Sequence, residues 1–182
     1  MKLRLSSHIR AARGLLHIGG RNFPCAIGRG GITADKREGD GATPAGAFAL
    51  RRVLYRAGRL PRPFTRLTVT PIGPRDGWCD APGRPDYNCQ VRLPIGARAE
   101  RLARADPVYD IIVVLGYNDE PVIDAMGSAI FMHIAKPNFA PTAGCIALRR
   151  KDLQAILRIC GPGSSLSVRL QRRRPRFNLI EK

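Results

Sequence analysis

Short apolar runs separated by glycine- and proline-rich stretches make up most of this chain, which is the pattern of β-strands joined by turns. Apolar runs at residues 14–18 and 22–27 flank residues 19–21, Gly-Gly-Arg, and predict an N-terminal hairpin. Residues 47–54 predict a further strand. Residues 67–72 alternate with a period of two and predict another.

Two later apolar runs are continuous rather than alternating. Residues 109–116 and 128–134 therefore predict strands that are buried on both faces. Residues 151–160 predict a helix with Leu153, Ile156, Leu157 and Cys160 on one stripe, and the Gly-Pro-Gly of residues 161–163 ends it. Residues 166–170 predict the final strand.

The remaining segments predict a second helix and a long loop. Residues 97–104 have a helical pattern with Leu102 on the apolar side, and residues 73–90 are predicted to be a loop. Together these elements predict a mainly β fold, a sandwich or closed barrel with one or two short helices. We expect one domain over residues 1–171 and a basic tail over residues 172–182.

Composition narrows the class of protein. The chain has 182 residues with 19 Gly and 15 Pro, and 44% of the residues are hydrophobic, enough for a sizeable core. No stretch approaches about 18 consecutive apolar residues, so we expect no membrane span. The first ten residues contain no continuous apolar run, so we expect no secretory signal peptide and a cytoplasmic protein.

The charge is strongly basic, with 31 Lys and Arg against 14 Asp and Glu and a net charge of +17. The arginines are scattered apart from residues 172–176, so we interpret the charge as a solvated, arginine-rich surface. The alternative is a non-catalytic basic module that binds nucleic acid or an anionic glycan. Six Phe and one Trp occur without an RNA-binding aromatic motif, so we do not expect a nucleic-acid partner.

Five cysteines without a CxxC pair predict neither a disulfide framework nor a zinc site, and we expect no metal and no cofactor. A pairing of Cys79 with Cys89 stays open but is not favoured. The acidic residues between positions 35 and 40 are interpreted as turn formers. The only histidines are His8, His17 and His133, so any chemistry that depends on histidine must use one of them.

One segment carries a candidate constellation for nucleophilic catalysis. A buried strand ends at His133, and twelve residues later Cys145 follows Gly144 in a tight turn. A cysteine nucleophile needs a base, because a free thiol has a pKa of about 8.5, and it needs nearby N–H groups to stabilise the oxyanion. Taken alone, this spacing favours a buried structural cysteine and a histidine at a strand end.

A second motif strengthens the catalytic interpretation. The run Thr-Pro-Ala-Gly-Ala-Phe at residues 43–48 resembles the TPxGxF element of the L,D-transpeptidase (YkuD) catalytic domain. The later His133 and the run Thr-Ala-Gly-Cys-Ile-Ala-Leu at residues 142–148 resemble that family's catalytic signature, in the same order. The resemblance covers residues 15–170. It implies that Thr43 and its neighbours shape the fold rather than perform chemistry.

The resemblance implies roles for particular residues. Cys145 is the expected nucleophile and His133 its general base. The amides of Gly144 and Cys145, together with Ala143, are expected to form the oxyanion hole, and Thr142 stands where the family has Ser or Thr. Asn118, which follows a buried strand, is a further candidate for lining the substrate cleft, although a plain turn explains it better.

The resemblance also implies the reaction. The thiolate attacks an amide of a peptidoglycan tetrapeptide stem, forms a thioester and releases the terminal D-Ala. An amine acceptor then makes a cross-link, whereas water makes the enzyme an L,D-carboxypeptidase that trims muropeptides. The expected partner is a stem peptide or muropeptide, the expected state is a monomer, and carbapenems are expected to acylate the cysteine. Cross-linking happens outside the cytoplasmic membrane, so an envelope location stays open as the alternative.

The chain departs from the family's pattern at three positions. Ala143 replaces a second histidine, Ile134 replaces a glycine, and Ala147 replaces an arginine that helps hold the stem. These departures indicate a divergent member and an altered mode of substrate positioning. Arg149 or Arg150 is a candidate for the missing cation, although both are equally compatible with solvated charges at the start of a helix.

Overall fold

The computed structural model describes residues 1–8 and 11–171, which form fourteen β-strands, one α-helix and two short 3-10 helices. The strands are β1 (Lys2–His8), β2 (Arg13–Ile18), β3 (Arg21–Ala26), β4 (Ile32–Thr33), β5 (Thr43–Pro44), β6 (Gly46–Tyr55), β7 (Thr68–Pro71), β8 (Asp76–Cys79), β9 (Gln90–Arg92), β10 (Ala99–Arg101), β11 (Ile111–Leu115), β12 (Phe131–Ile134), β13 (Ile146–Leu148) and β14 (Ser165–Gln171). The helix is α1 (Arg150–Leu157), and the 3-10 helices are Pro107–Tyr109 and Pro137–Phe139.

Eight strands close into a barrel in the order β11, β12, β13, β3, β2, β1, β14 and β6, with β6 pairing back onto β11. Strand β7 pairs with β6 in parallel, and β8, β9 and β10 form a separate three-stranded sheet. Closure removes the exposed strand edges that an open sheet of this size would present. The predicted mainly β fold, as a closed barrel with a short helix, is confirmed.

The predicted N-terminal hairpin is present between β2 and β3. Ile18 pairs with Arg21 across a two-residue turn. Gly19 and Gly20 both adopt positive φ angles, 53° and 75°, which suits the type I′ geometry that matches strand twist.

Strand β11 is buried on both faces, as its continuous apolar run predicts. Ile111, Val113 and Leu115 belong to the cluster that fills the barrel. Ile112 and Val114 point the other way, into a second cluster that includes Trp78, Tyr109 and Phe131. The barrel wall at β11 and β12 therefore has a core on each side, and the second core lies under the sheet of β8–β10.

The predicted helix at residues 97–104 is wrong, because β10 lies there. Glu100 pairs with Trp78 of β8 and accepts a hydrogen bond of 2.7 Å from the Tyr109 hydroxyl. Only Leu102 of these residues is buried, so a helix would have no apolar stripe to pack. Pairing with β8 satisfies the backbone of this segment instead.

The predicted loop at residues 73–90 is also wrong in part, because it contains β8 and the first residue of β9. Trp78 lies on β8 and packs edge-on against Phe131 with ring centroids 4.9 Å apart. The sequence does not predict this strand because the strands that pair with it, β9 and β10, come later in the chain after further turns.

The two ends of the described chain meet in the barrel. Strand β1, which the sequence did not reveal, pairs in parallel with β14. The predicted C-terminal helix is present as α1, which buries Leu153, Ile156 and Leu157. Within the described residues no helix is long and apolar enough to cross a membrane. The predicted basic tail at residues 172–182 lies outside the described residues.

Candidate active site

His133 and Cys145 lie on the outer face of the barrel wall. Strands β12 and β13 are parallel, and His133 pairs in register with Ala147, two residues after Cys145. Side chains alternate along a strand, so Met132 and Ile146 point into the barrel core while His133 and Cys145 point outward. The two candidate catalytic side chains therefore share one face.

Both side chains line a cavity of about 560 Å³ on that face. Its wall also includes Thr142, Ala143 and Ala147. Eight charged residues also line it: Arg29, Lys36, Glu38, Asp80, Arg98, Glu100, Arg104 and Lys136. A polar cavity of this size suits a peptide-sized segment with charged groups.

Cys145 is 8% exposed, and its thiol is held by main-chain groups. Its Sγ donates to the Ala129 carbonyl at 3.1 Å and accepts from the Phe131 N–H at 3.3 Å. Burial raises the pKa of Cys145 to about 12, and the nearby negative charge of Glu100 adds to the rise. At neutral pH the sulfur is therefore a protonated thiol.

The imidazole of His133 is neutral and has a defined tautomer. Its Nδ1 lies 2.9 Å from the Ile134 carbonyl oxygen, which can only accept, so Nδ1 carries the proton and Nε2 keeps its lone pair. Burial lowers the pKa of His133 to about 4. The ring of Tyr109 packs edge-on against it, with centroids 5.3 Å apart, and restricts its orientation. Across the described residues no hydrogen bond joins the imidazole to the Cys145 thiol.

The turn before Cys145 requires a glycine. Gly144 has a φ of +143°, and a Cβ there would lie 2.9 Å from the Ala42 carbonyl oxygen. The fully buried Thr43 hydroxyl donates to the Gly144 carbonyl at 2.8 Å and accepts from the Gly28 N–H at 2.9 Å. Thr43 therefore joins this turn to the start of β5, in agreement with the structural role inferred for it.

Thr142 organises the same turn and changes the expected oxyanion hole. Its Oγ1 donates to the Cys145 carbonyl at 2.7 Å and accepts from the Gly144 N–H at 3.1 Å. The Gly144 amide, expected to stabilise an oxyanion, is thus already engaged. In the part of the chain that the structure describes, the N–H groups of Ala143 and Cys145 have no acceptor and are the available donors.

Asn118 is placed apart from this group. Its side-chain amide donates to the carbonyls of Ile123 and Gly127 and its oxygen accepts from the Ile123 N–H. It closes the loop after β11 and is not among the residues that line the cavity.

The two arginines considered as substitutes for a family cation are also elsewhere. The guanidinium of Arg149 stacks over Phe139 at 5.2 Å, and that of Arg150 lies 3.4 Å from Asp110. Neither lines the cavity.

The fold brings several unpredicted residues to the cavity. Glu38, interpreted from sequence as a turn former, accepts hydrogen bonds from Tyr87 at 2.6 Å and Ser128 at 2.7 Å. Lys36 is 5% exposed and pairs with Asp40 at 2.6 Å. Asp40 does have the turn-forming role, because its carboxylate accepts from the Arg37 and Ala42 N–H groups. No short motif marks Glu38, because its partners Tyr87 and Ser128 lie on distant segments.

The described cysteines form no disulfide, and the described acidic residues form no metal-binding group. All five cysteines are free, with Cys89 exposed and Cys79 buried, so the pairing considered for those two is not formed. Over residues 1–8 and 11–171, no group of three or more His, Cys, Asp or Glu residues is positioned to hold a metal ion.

Comparison with known proteins identifies the family. The sequence model of the YkuD family, described as the L,D-transpeptidase catalytic domain, matches residues 14–169. Comparisons with curated proteins and with solved structures return no match. The family match runs from β2 into β14 and includes the Thr43 element, His133 and Cys145. Because that match spans most of its length, the chain belongs to the L,D-transpeptidase catalytic domain (YkuD) family.

Proposed function

We propose that this protein is a cysteine-dependent L,D-transpeptidase that acts on peptidoglycan tetrapeptide stems through a thioester. The observation that carries the proposal is that His133 on β12 and Cys145, immediately before the adjacent strand β13, open on one cavity, with the basic Nε2 of His133 unprotonated. A thiol and a free imidazole lone pair in one cleft are the two groups that acyl transfer by cysteine requires.

The first half-reaction begins from a neutral pair. The Cys145 thiol has a raised pKa and His133 a lowered one, so an ion pair does not form in the empty site. As sulfur attacks the stem carbonyl, the thiol proton passes to His133 Nε2. The tetrahedral intermediate then collapses. The C–N bond breaks, the His133 proton goes to the leaving nitrogen, and D-Ala departs from the thioester.

The developing oxyanion needs N–H donors. The Ala143 and Cys145 amides supply them, because the Gly144 amide is held by Thr142. Removing one such donor typically costs about 100-fold or more in rate. For the thiol to reach His133, its hydrogen bond to the Ala129 carbonyl must be exchanged for one to Nε2.

The second half-reaction distinguishes two enzymes. An amine acceptor loses its proton to His133 and attacks the thioester. The C–S bond then breaks, the Cys145 sulfur takes the proton back from His133, and the new C–N bond is the cross-link. Water in the same position follows the same steps and releases the free acid, which is L,D-carboxypeptidase activity on muropeptides. The two outcomes share every residue up to the thioester.

Mass spectrometry of a tetrapeptide muropeptide incubated with the protein tests the proposal. Loss of one D-Ala is the hydrolytic product, and a dimer mass is the cross-linked product. Cys145→Ala should abolish both products and also acylation by a carbapenem. Cys160→Ala is the matched control, because Cys160 is a free, fully buried thiol outside the cavity. A wild-type protein that changes neither substrate nor its own mass contradicts the proposal.

A further inference from the structure

The positive charges that line the cavity differ in whether an acid neutralises them. Three are paired: Lys36 with Asp40 at 2.6 Å, Arg98 with Asp80 at 3.1 Å, and Arg104 with Asp106 at 2.7 Å. Arg29 and Lys136 also line the cavity, yet neither forms an ion pair with any described residue. Both are exposed at the cavity rim.

The two unpaired cations flank the segment that leads to Cys145. The Arg29 N–H donates to the Thr142 carbonyl at 2.9 Å, which holds Arg29 beside the catalytic turn. Lys136 follows His133 by three residues and precedes the 3-10 helix Pro137–Phe139, which continues into the same turn. Both cations therefore line the cavity from segments that adjoin the Thr142–Cys145 turn.

The acidic residues of the cavity are each balanced by an arginine. Glu38, Asp80 and Glu100 line the cavity, and each has an arginine of the cavity within 4.0 Å. Among the charged residues that line the cavity, Arg29 and Lys136 alone have no described partner of opposite charge within that distance. An anionic group of a bound peptide is attracted to these two cations.

We propose that Arg29 and Lys136 bind the free C-terminal carboxylate of the residue that leaves the acyl donor. This inference rests on the proposed function. In a stem peptide that carboxylate is attached to the Cα next to the scissile nitrogen, so during attack it must lie beside Cys145. Arg29 offers a planar fork of donors that matches a carboxylate, and Lys136 adds a second charge.

Binding to the Cys145→Ala protein tests this without turnover. The probes are a tetrapeptide stem ending in D-Ala and the same peptide with a C-terminal carboxamide, compared by calorimetry. The acid should bind about tenfold or more tightly than the amide, as for a charge-assisted hydrogen bond. Arg29→Gln and Lys136→Gln in that background should weaken acid binding and shrink the preference for the acid. Arg29→Lys should retain part of it.

Two controls remove a charge elsewhere. Arg62 and Lys151 are exposed, have no ion pair among the described residues and do not line the cavity. Arg62→Gln and Lys151→Gln should leave the acid preference unchanged. A third peptide, in which only the internal carboxylates are amidated, should bind like the parent acid.

Three results would contradict this assignment. The acid and the amide bind equally, or the preference is lost only when the internal carboxylates are amidated. In the third, Arg29→Gln and Lys136→Gln leave the preference for the acid unchanged. Failure of the proposed function has a different signature. In that case the wild-type protein makes no product from the acid, whatever the binding preference of the Cys145→Ala protein.

Discussion

The hydroxyl of Thr43 donates a hydrogen bond of 2.8 Å to the carbonyl of Gly144, although the two residues are 101 positions apart. The same oxygen accepts from the Gly28 N–H at 2.9 Å. One buried hydroxyl therefore joins three chain segments immediately beside Cys145. A residue far from the catalytic motif in sequence determines the position of the turn that presents the thiol.

Replacing Thr43 by valine should lower the free energy of unfolding by about 2–4 kcal/mol, because two buried main-chain groups each lose their hydrogen bond. Urea unfolding measures the change. Thr43→Ser keeps the hydroxyl and should lose much less. A Thr43→Val protein as stable as the wild type would show that neither hydrogen bond contributes.

Replacing Gly144 by alanine should impair acylation of Cys145 by a carbapenem at least tenfold while the barrel still folds. The new Cβ would stand 2.9 Å from the Ala42 carbonyl oxygen, so the turn must move and carry the thiol with it. Gly163→Ala is the matched control, because Gly163 also has a positive φ, +76°, but nothing lies within 4 Å of its added Cβ. Equal acylation of the two variants would contradict the expectation.

Stability should fall as the pH is lowered from about 6.5 to about 4. The pKa of His133 is lowered to about 4 by burial, so the unfolded chain takes up this proton before the folded protein does. The free energy of unfolding should fall by up to about 3 kcal/mol across that pH range. Above about pH 6.5 this contribution to stability should be complete. Urea unfolding at several pH values in wild type and His133→Asn measures it. Parallel profiles would show that His133 is not the group responsible.

Cys145 should resist alkylation at neutral pH despite its proposed role as nucleophile. Burial raises its pKa to about 12, and only the thiolate reacts, so iodoacetamide should modify the exposed Cys89 first. Intact-mass and peptide mapping of the wild type and Cys89→Ser measure the order. In Cys89→Ser the rate at Cys145 should rise steadily from pH 7 to 9. Rapid, pH-independent alkylation of Cys145 would indicate a preformed thiolate.

Local pattern was sufficient for the elements whose structure depends on their own residues. The Gly19–Gly20 turn supplies positive φ angles, and the hairpin follows from it. The continuous apolar run of β11 must be buried on both faces, and the structure has a hydrophobic cluster on each side of it. In both segments the order of apolar and glycine residues is sufficient to determine the local structure.

Where partners lie far along the chain, local pattern failed. Residues 97–104 form β10 because β8 is present beside them, and β1 forms because β14 pairs with it. The bond between the Gly144 amide and the Thr142 hydroxyl has a different cause, because these two residues are only two positions apart. A side-chain rotamer in a tight turn is decided by packing, which sequence spacing does not encode.

The sequence by itself determined the mainly β class and the family resemblance, and it singled out His133 and Cys145 as candidates, because each of these rests on short runs of neighbouring residues. Tertiary structure alone decided which side of the barrel wall the pair occupies and which charges surround it. Arg29, Lys36, Glu38 and Lys136 meet at the cavity only after the barrel closes. Closure determines which cations find an acid and which remain available, since ion pairing acts across space rather than along the chain.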